Sequence, residues 1–433
     1  MAETITEPGA DKENVISENP RTPGTTRGFG VFRNRNFRLL WTGAVASNIG
    51  TWMQGVAQGW LIITLTNSPG WLGAVALANS IPFLILPLFG GVLADRVDRV
   101  RLLKITQSFS MLLAFTLAAL TLSGVIQVWQ ILLLAFLNAT SNSFDQPTRN
   151  ALLPDLVGPN ELMQAVSLNS TAYQGAALVG PAIAGILVGI IGVGGCFLIN
   201  GLSFFFVLLA LYLMKVPRME ARTRRPVAHD LLEGLAYLRR SPILLTVLLL
   251  TCLFSIFGRS YSTLLPAFAR LVLHTNSQTL GLMYAMPGLG TLLGGFALAA
   301  YGDVRRKGTF LTAMALMTGT TVFVFAVSSS VLLILPILIG IGIANTAYNA
   351  TVSTVLQTRA PANMRGRVMS YNTVAWRGLT PAGGAVVGLL AELFGTRTAM
   401  ASGGIVVVIA AVSLYLLVPH IRSADRDAEV VRR

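Results

Sequence analysis

The stretch "FGGVLADRVDRVRLLKI", residues 89–105, separates two long apolar runs and shows how the chain is organised. Two acids and four bases fall within ten residues of it, although only 12% of the whole chain is charged and 53% is hydrophobic. Soluble domains carry about 25% charged residues, so the rest of the chain suits a lipid environment. A short charged connection between apolar runs is typical of a chain that crosses a bilayer and turns back.

Apolar runs of similar length recur along the whole sequence. A run of roughly 20 residues crosses a hydrocarbon core about 30 Å thick as a helix, because backbone groups inside lipid must be satisfied within their own segment. The sequence therefore predicts an all-α membrane protein with twelve transmembrane helices, which we call spans one to twelve. Their approximate limits are 39–64, 71–93, 105–126, 128–148, 164–192, 194–215, 243–272, 279–301, 309–328, 331–355, 370–394 and 399–419.

The basic residues lie mostly on one side of these spans. Of the 32 Lys and Arg residues, 28 lie in the two terminal segments or in the connections after even-numbered spans. Because Lys and Arg are enriched in cytoplasmic loops, we expect a multi-pass protein of the cell membrane with both termini cytoplasmic. The net charge of +14 then reflects topology, so no nucleic-acid partner is predicted. No phosphate-binding loop G-x-x-x-x-G-K-[ST] occurs, so no nucleotide is predicted either.

The two halves of the chain resemble each other. Residues 142–185 match residues 345–388 without a gap at 11 of 44 positions, including Asn, Ser and Gly residues. A helical repeat places a binding cavity where the halves meet, near the middle of the bilayer. The predicted domains are a disordered cytoplasmic tail at 1–36, a six-helix bundle at 37–216, a cytoplasmic linker with an interfacial helix at 217–242, a second bundle at 243–420 and a tail at 421–433.

The charged connection resembles the loop Gly-x-x-x-Asp-Arg-x-Gly-Arg-Arg of the major facilitator superfamily. Gly91, Asp95, Arg96 and Arg99 match that pattern, while Asp98 stands at the second glycine. The stretches "RNRNFRLLWTGAVASNIG", "DLLEGLAYLRRSP" and "MRGRVMS" resemble the branch that contains the enterobactin exporter and drug-efflux proteins. The resemblance implies a transporter with two pseudo-symmetric six-helix bundles, a small-molecule substrate and coupling to protons.

The resemblance also implies a gating role for the charged connection. Asp95 is expected to face the start of span eleven, where the helix dipole favours an anion, and Arg99 is expected to pair with Asp145. Each exposed pair contributes about 0–1 kcal/mol, but several such pairs can rebalance two conformers that differ by a few kcal/mol. The alternative is plain anchoring by positive charge. The predicted latch, formed when the cytoplasmic side is shut, consists of Gly91, Asp95, Arg96, Arg99 and Asp145.

The stretch "GAALVGPAIAG", residues 175–185, resembles a motif of exporters and antiporters in the same superfamily, with Gly180, Pro181 and Gly185 in place. Small residues let two helix backbones approach closely, and proline removes a backbone hydrogen bond and permits a bend. The motif favours export, with ordinary small-residue packing as the alternative.

Polar side chains at helical spacing inside the spans are candidates for contact with cargo. Residues three or four positions apart share one helix face, and each Asn or Gln has an interhelical hydrogen bond as its alternative role. The predicted substrate-cavity residues are Thr51, Gln54, Gln58, Asn138, Asn142, Asn169, Tyr173, Arg259, Asn345, Asn349, Asn372, Trp376 and Arg377.

Charged residues inside the spans constrain the mechanism further. Arg377 lies roughly 16 Å from the cytoplasmic end of its helix, where a charge costs about 2.5–3.5 kcal/mol, so it requires a wet cavity or a partner. We expect Arg259 near the outer surface, where it could snorkel or serve in transport. A central arginine favours anionic or strongly polar cargo. No carboxylate is expected at mid-membrane, and Asp145, placed at the cytoplasmic end of span four, is the best proton carrier.

Together these features predict a secondary active exporter of small amphiphilic compounds, such as a drug, a siderophore or a related metabolite. We expect alternating access, a monomer, and no cofactor or metal. An importer or a lipid or metabolite flippase on the same fold is the alternative within transport. A membrane enzyme is disfavoured because the three histidines lie near or outside the membrane edges, and a receptor would not need a latch.

Overall fold

A computed structural model of the chain describes residues 30–86, 98–214, 227–302, 304 and 306–417. Within those residues the chain forms helices and short turns, and no strand occurs among them. The predicted all-α fold is therefore confirmed. The predicted terminal tails fall largely outside the described residues, as do the connection 87–97 and the first part of the linker, 215–226.

Within the described residues, the first half contains five α-helices, and the last of them contains two spans. At Gly192, within this last helix of 52 residues, the backbone has a φ of 74° and leaves the helical conformation. Glycine adopts this left-handed conformation without steric cost, so the chain turns there and span six begins. The helices are α1 (Arg35–Thr66), α2 (Pro69–Ile85), α3 (Arg99–Leu122), α4 (Val128–Leu156) and α5 (Leu162–Leu213).

The linker contains α6 (Val227–Arg240), within the range where the sequence predicts a short helix. The second half follows it directly. Span seven is divided into α7 (Pro242–Leu253) and α8 (Tyr261–Ala267), with π-helical turns at Phe254–Gly258 and Phe268–Val272. The remaining helices are α9 (Ser277–Tyr301), α10 (Lys307–Val327), α11 (Val331–Arg359), α12 (Arg365–Arg377), α13 (Leu379–Phe394) and α14 (Thr396–Leu417).

The lengths and the outer surfaces of the helices suit a lipid environment. Eight helical segments in the described part of the chain are long and apolar enough to cross a membrane, and α5 counts as one of them although it contains two spans. Large apolar side chains cover the outside, among them Ile190, Phe296 and Leu332, which are 71%, 73% and 82% exposed. Exposed apolar surface on this scale indicates a non-aqueous surrounding, consistent with the twelve predicted spans.

The internal repeat extends to the helix boundaries. A shift of 203 residues carries α4, which ends at Leu156, onto α11, which ends at Arg359. The same shift carries the start of α5 at Leu162 onto the start of α12 at Arg365. Matched residues therefore occupy matched positions in the two halves, as expected for pseudo-symmetric bundles.

The glycines of the repeat also make equivalent contacts. A methyl group added to Gly180 would lie 2.8 Å from the carbonyl oxygen of Ile49 in α1. A methyl group on Gly383, its repeat mate, would collide with the carbonyl oxygen of Ile256 in span seven, the counterpart of α1. In both halves, glycine therefore allows the fifth helix to lie directly against the first.

The helices end at two faces, which we distinguish by charge. Among the described residues, the basic face contains α6, the starts of α1 and α3 and the end of α11, and the opposite face contains the connections after odd-numbered spans. At the basic face Asn34 and Asp98 cap α1 and α3, since the Asp98 carboxylate accepts a hydrogen bond from the backbone N–H of Arg101 at 2.9 Å. The acid that replaces the second glycine of the loop pattern is thus an N-cap, favoured by the helix dipole.

Candidate functional site

The two halves approach each other most closely toward the opposite face, where α2 packs on α13 and α5 packs on α9. A methyl group on Gly281 of α9 would lie 2.6 Å from the carbonyl oxygen of Pro181 and 2.7 Å from Cα of Gly185. A methyl group on Gly388 of α13 would lie 2.8 Å from the backbone nitrogen of Gly73 in α2. The backbones touch at both crossings, so only glycine fits.

The two crossings are symmetry mates. The repeat shift carries Gly185 onto Gly388, and their partners, Gly281 and Gly73, lie near the starts of α9 and α2, the second helix in each half. Pro181 and Gly185 of the predicted exporter-type motif therefore lie at a crossing between the halves, while Gly180 packs against α1 within the first half. The motif's sequence pattern did not identify its partner helix.

A carboxylate strengthens the contact at the opposite face. Glu392 at the end of α13 accepts hydrogen bonds from the hydroxyl of Ser68 at 2.7 Å and from the backbone N–H of Gly70 at 2.9 Å. An acid from the second half thus caps the first turn of α2, where the helix dipole favours negative charge. Nearby, the guanidinium of Arg270 lies 5.8 Å from the ring centroid of Trp60. The opposite face is closed in this structure.

Two further contacts join the halves at greater depth. The guanidinium of Arg377 donates a hydrogen bond to the side-chain oxygen of Gln146 in α4. The hydroxyl of Ser80 in α2 donates to the carbonyl oxygen of Gly378 at 2.7 Å. The packing between the halves is therefore concentrated between mid-depth and the opposite face.

Arg99, a member of the predicted latch, pairs with a residue that the sequence did not suggest. Its guanidinium forms an ion pair with Asp155 and donates to the carbonyl oxygen of Ala151 at 3.1 Å. The predicted pairing of Arg99 with Asp145 is wrong. Both partners belong to the first half, so this pair holds α3 against α4.

The antiparallel register of α3 and α4 explains the difference. Ser110 meets Ser141 at 3.0 Å, and the amide of Gln107 donates to Asp145 at 2.6 Å. Moving back along α3 toward its start moves forward along α4, so Arg99 meets the residues near the end of α4. Asp145 therefore lies about two turns too deep to reach Arg99.

The other latch residues, Gly91, Asp95 and Arg96, lie outside the described residues. The expected contact of Asp95 with the start of α12 therefore remains a prediction.

The pair Arg99–Asp155 leads to a charge-reversal prediction. We expect Arg99→Asp and Asp155→Arg each to lower the midpoint of thermal unfolding, because each places like charges together in a pair worth on the order of 1 kcal/mol. The double variant is expected to recover part of the loss. Arg99→Asp with Asp145→Arg is the matched control, and recovery in that control but not in the first double variant would contradict the register.

Asp145 is the only acid that is buried within the described part of the chain, with 7% of its surface exposed. One carboxylate oxygen accepts from Thr106 at 3.1 Å and from Gln107 at 2.6 Å, and the other accepts from Arg149 at 3.2 Å. These contacts satisfy a charge that would otherwise be costly to bury.

Asp145 also lies deeper than its sequence position suggested. Its neighbour Gln146 contacts Arg377 across the halves, and α4 continues for three turns beyond Asp145 to Leu156. The prediction that Asp145 lies at the cytoplasmic end of its helix is therefore wrong. An ionisable carboxylate lies at the depth of the central arginine.

Several predicted cargo residues line a small cavity inside the first half. The cavity measures about 30 Å³, which is room for one or two water molecules. Gln54 also accepts a hydrogen bond from the amide of Asn200 at 2.6 Å. The polar residues that line the cavity come from α1, α2 and α4 and are Gln54, Gln58, Asn79 and Asn138. All of these except Asn79 are predicted cargo residues, and they face the interior of the first bundle.

Arg259 lies near the middle of the segment Pro242–Val272, at the end of the first π-helical turn. Its guanidinium carbon lies 4.6 Å from the ring centroid of Trp376 in α12. Arg259 is therefore part of a central cluster, and its predicted position near the outer surface is wrong.

Aromatic side chains surround this central arginine. Behind Trp376, the rings of Phe254 and Tyr348 stack with centroids 4.1 Å apart. From the first half, the ring of Tyr173 packs edge-on against Trp52 of α1, with centroids 5.9 Å apart. Two predicted cargo residues on different helices of the second half, Arg259 and Trp376, thus come together.

The remaining candidates occupy varied positions. The side-chain oxygens of Asn345 and Asn372 are enclosed and meet no hydrogen-bond donor among the described residues. Thr51 and Asn349 are exposed, and Asn142 and Asn169 are partly exposed. Sequence reasoning missed Gln146, Asp155 and Glu392, whose partners come from distant parts of the chain.

Two repeat-related halves that cross at one face, with a polar cluster between them, define a membrane transporter of the major facilitator type. Residues 26–431 match the transmembrane secretion effector family, and the chain belongs to that family. The resemblance read from the loop motifs is confirmed, and the protein is a transporter rather than an enzyme.

Relatives match over most of their length. The chain is 27% identical to the staphyloferrin A transporter of Staphylococcus aureus over 80% of this chain and 87% of that protein. It is 22% identical to macrolide efflux protein A of Streptococcus pyogenes over 87% and 94%. It is 25% identical to the enterobactin exporter EntS of Citrobacter koseri over 89% and 92%.

Solved structures share the fold. A bacterial homologue of the human lysosomal transporter Spinster, in an inward-facing and unoccupied conformation, aligns with a TM-score of 0.72 at 17% identity, over 92% of this chain and 99% of that chain. The nucleoside transporter NupG aligns with a TM-score of 0.70 at 14% identity, over 89% and 100%. These likenesses concern the fold alone.

Proposed function

We propose that the protein is a secondary active exporter that moves small amphiphilic compounds by alternating access. The observation that carries the proposal is the pair of symmetry-related glycine crossings at one face. Two rigid halves that meet at a pair of equivalent crossings at one face can separate there while they close at the other face, and so expose a central site to each side in turn. The closed opposite face is then one end state of that motion.

The direction of transport follows from topology and relatives. Since Lys and Arg are enriched in cytoplasmic loops, the basic face is cytoplasmic, both termini lie inside the cell, and the protein resides in the cell membrane. The structure then corresponds to a state that is closed outside and able to load cargo from the cytoplasm. Relatives named as exporters and efflux proteins, and the motif of Gly180, Pro181 and Gly185, support export; the monomer is part of the proposal.

Proton coupling rests on Asp145. Among the described residues it is the buried acid at the depth of the central cluster, and buried acids in transporters mark proton pathways. Glu392 caps α2 in this state, and the expected contact of Asp95 with the start of α12 would belong to the opposite end state. Uptake of a proton from outside and its release inside would then accompany the outward movement of cargo.

Collapse of the pH gradient is expected to stop efflux. The physical reason is that export against a cargo gradient needs an energy source, and a proton gradient is the one that a buried carboxylate can use. The measurement is dye accumulation in inverted vesicles before and after addition of nigericin. Efflux that continues unchanged under nigericin would argue against proton coupling, while leaving export itself in place.

An efflux screen tests the function as a whole. Cells that lack their own pumps would express the protein and be challenged with drugs, siderophores and fluorescent amphiphiles. We expect cells that express the protein to accumulate less of at least one compound class than cells that do not. Cells that express the Gly281→Ala variant are expected to accumulate as much as cells without the protein. Higher accumulation in expressing cells would favour an importer, and movement of labelled lipid alone would favour a flippase.

A further inference from the structure

Arg259 and Arg377 are two cations near the boundary between the halves, and no described acid pairs with either. The guanidinium of Arg259 lies on the face of Trp376. The guanidinium of Arg377 donates to the neutral amide of Gln146. A guanidinium carries its charge permanently, so both sites hold net positive charge.

Three arginines elsewhere in the described residues have a carboxylate partner. Two of these pairs join different helices, and the third lies within α4. Arg270 and Arg397 at the opposite face have neutral partners, as the central arginines do, so Arg259 and Arg377 are distinguished by their position near the boundary between the halves. The carboxylate-bound arginines are Arg99 with Asp155, Arg149 with Asp145, and Arg367 with Glu233 at 2.7 Å.

A hydrogen-bond donor without an acceptor lies beside Arg259. The indole N–H of Trp376 is enclosed and meets no acceptor among the described residues. A guanidinium that stacks on a ring keeps its N–H groups at its edge, where they can donate in the plane. Arg259 and Trp376 thus offer donors that a bound group with oxygen acceptors would satisfy.

We propose that the cargo is an amphiphilic anion, whose carboxylate, sulfonate or phosphate group is bound by Arg259 and Arg377 while its apolar part contacts Trp376. This inference rests on the proposed transport function and names the chemical class of its cargo. A cation of the same shape would be repelled by two uncompensated guanidinium groups. The membrane potential, negative inside, would assist the outward movement of an anion.

The test uses two dyes that share one ring system but differ in charge. The purified protein in nanodiscs of neutral lipid is titrated with fluorescein, an anion, and with tetramethylrhodamine methyl ester, a cation, and dye anisotropy is read against empty nanodiscs. We expect saturable binding of fluorescein that is at least about tenfold tighter than that of the rhodamine, since hydrogen bonds to charged groups are the strong ones.

Four variants separate binding from folding. Arg259→Gln and Arg377→Gln are each expected to weaken fluorescein binding by about tenfold, whereas Arg377→Lys keeps the cation and most of the affinity. Arg397→Gln is the matched control, because Arg397 bonds to Ser329 at the opposite face, 2.7 Å away, and is expected to change nothing. Retained binding by Arg377→Lys shows that the glutamine effect is not a folding defect.

Three results would overturn the proposal: rhodamine binding as tight as fluorescein binding, no saturable fluorescein binding, or unchanged affinity in both glutamine variants. These outcomes differ from a failure of the transport function. A protein that exports neutral or cationic compounds with its glutamine variants intact would remain an exporter without an anion site. If the protein binds fluorescein through both arginines but lowers the intracellular accumulation of no compound in the efflux screen, the proposed export function fails while the anion site stands.

Discussion

Gly281→Ala is expected to abolish export while the protein remains folded in the membrane. The added methyl group would lie 2.6 Å from the carbonyl oxygen of Pro181 and 2.7 Å from Cα of Gly185. Both contacts are with backbone, which cannot rotate away as a side chain would, so α5 and α9 must separate. Overpacking of this kind costs about 1–3 kcal/mol, and this cost falls on the state that is closed at the opposite face.

A cost confined to one state shifts the balance of the two states. By the usual relation, about 1–3 kcal/mol corresponds to a factor of about 5–150 in their populations. The variant is therefore expected to spend most of its time open at the opposite face and unable to load cargo from inside. Gly388→Ala, at the symmetry-related crossing, is expected to have the same effect, because a methyl group on Gly388 meets the backbone of Gly73.

A cysteine at Ser277 reports on this balance. Ser277 is 6% exposed, and its hydroxyl donates to the carbonyl oxygen of Gly185 at 3.2 Å, so it is covered only while the crossing is closed. In a background without the native cysteines, Gly281→Ala is expected to raise labelling of Ser277→Cys by an impermeant maleimide. Gly295→Ala on the same helix is the control, because its methyl group meets nothing within 4 Å. Full export by Gly281→Ala, with Ser277→Cys still protected, would contradict a closing role for the crossing.

The fold was predictable because its determinants are local. Twelve apolar runs and a gapless match of residues 142–185 to 345–388 are properties of one segment or of two segments compared, and helix boundaries follow them. The structure aligns α4 with α11 at both ends by that same shift. A partner helix is not encoded in this way, so the sequence marked Gly185 as important without indicating Gly281.

The errors in the site share one physical cause. Spacing along a helix tells which residues share a face but not what that face meets, so it could not indicate that Gln54 and Asn138 line a small cavity inside one bundle. The pairing of Arg99 needed the register between α3 and α4. The depth of Arg259 needed the true length of span seven, which at 31 residues exceeds the thickness of the bilayer core.

Asp145→Asn is expected to destabilise the first half strongly. The carboxylate of Asp145 and the guanidinium of Arg149 are 9% and 13% exposed, and another nitrogen of that guanidinium already lacks a partner among the described residues. Removing one member of a buried ion pair leaves the other charge uncompensated, which costs about 3–5 kcal/mol. The measurement is the midpoint of thermal aggregation of the purified protein, followed by size-exclusion chromatography.

The double variant Asp145→Asn with Arg149→Gln separates the charge from the packing. If Asp145→Asn lowers the midpoint because Arg149 is left buried and unpaired, removing that charge as well is expected to restore much of the midpoint. Arg99→Gln, which breaks the more exposed ion pair, is the control and is expected to lower the midpoint less than Asp145→Asn does. An Asp145→Asn protein as stable as its parent would show that the pair contributes little to folding. Loss of the effect of nigericin on efflux in that same stable protein would then assign Asp145 to proton transfer, because a neutral amide keeps the hydrogen bonds to α3 but cannot exchange a proton.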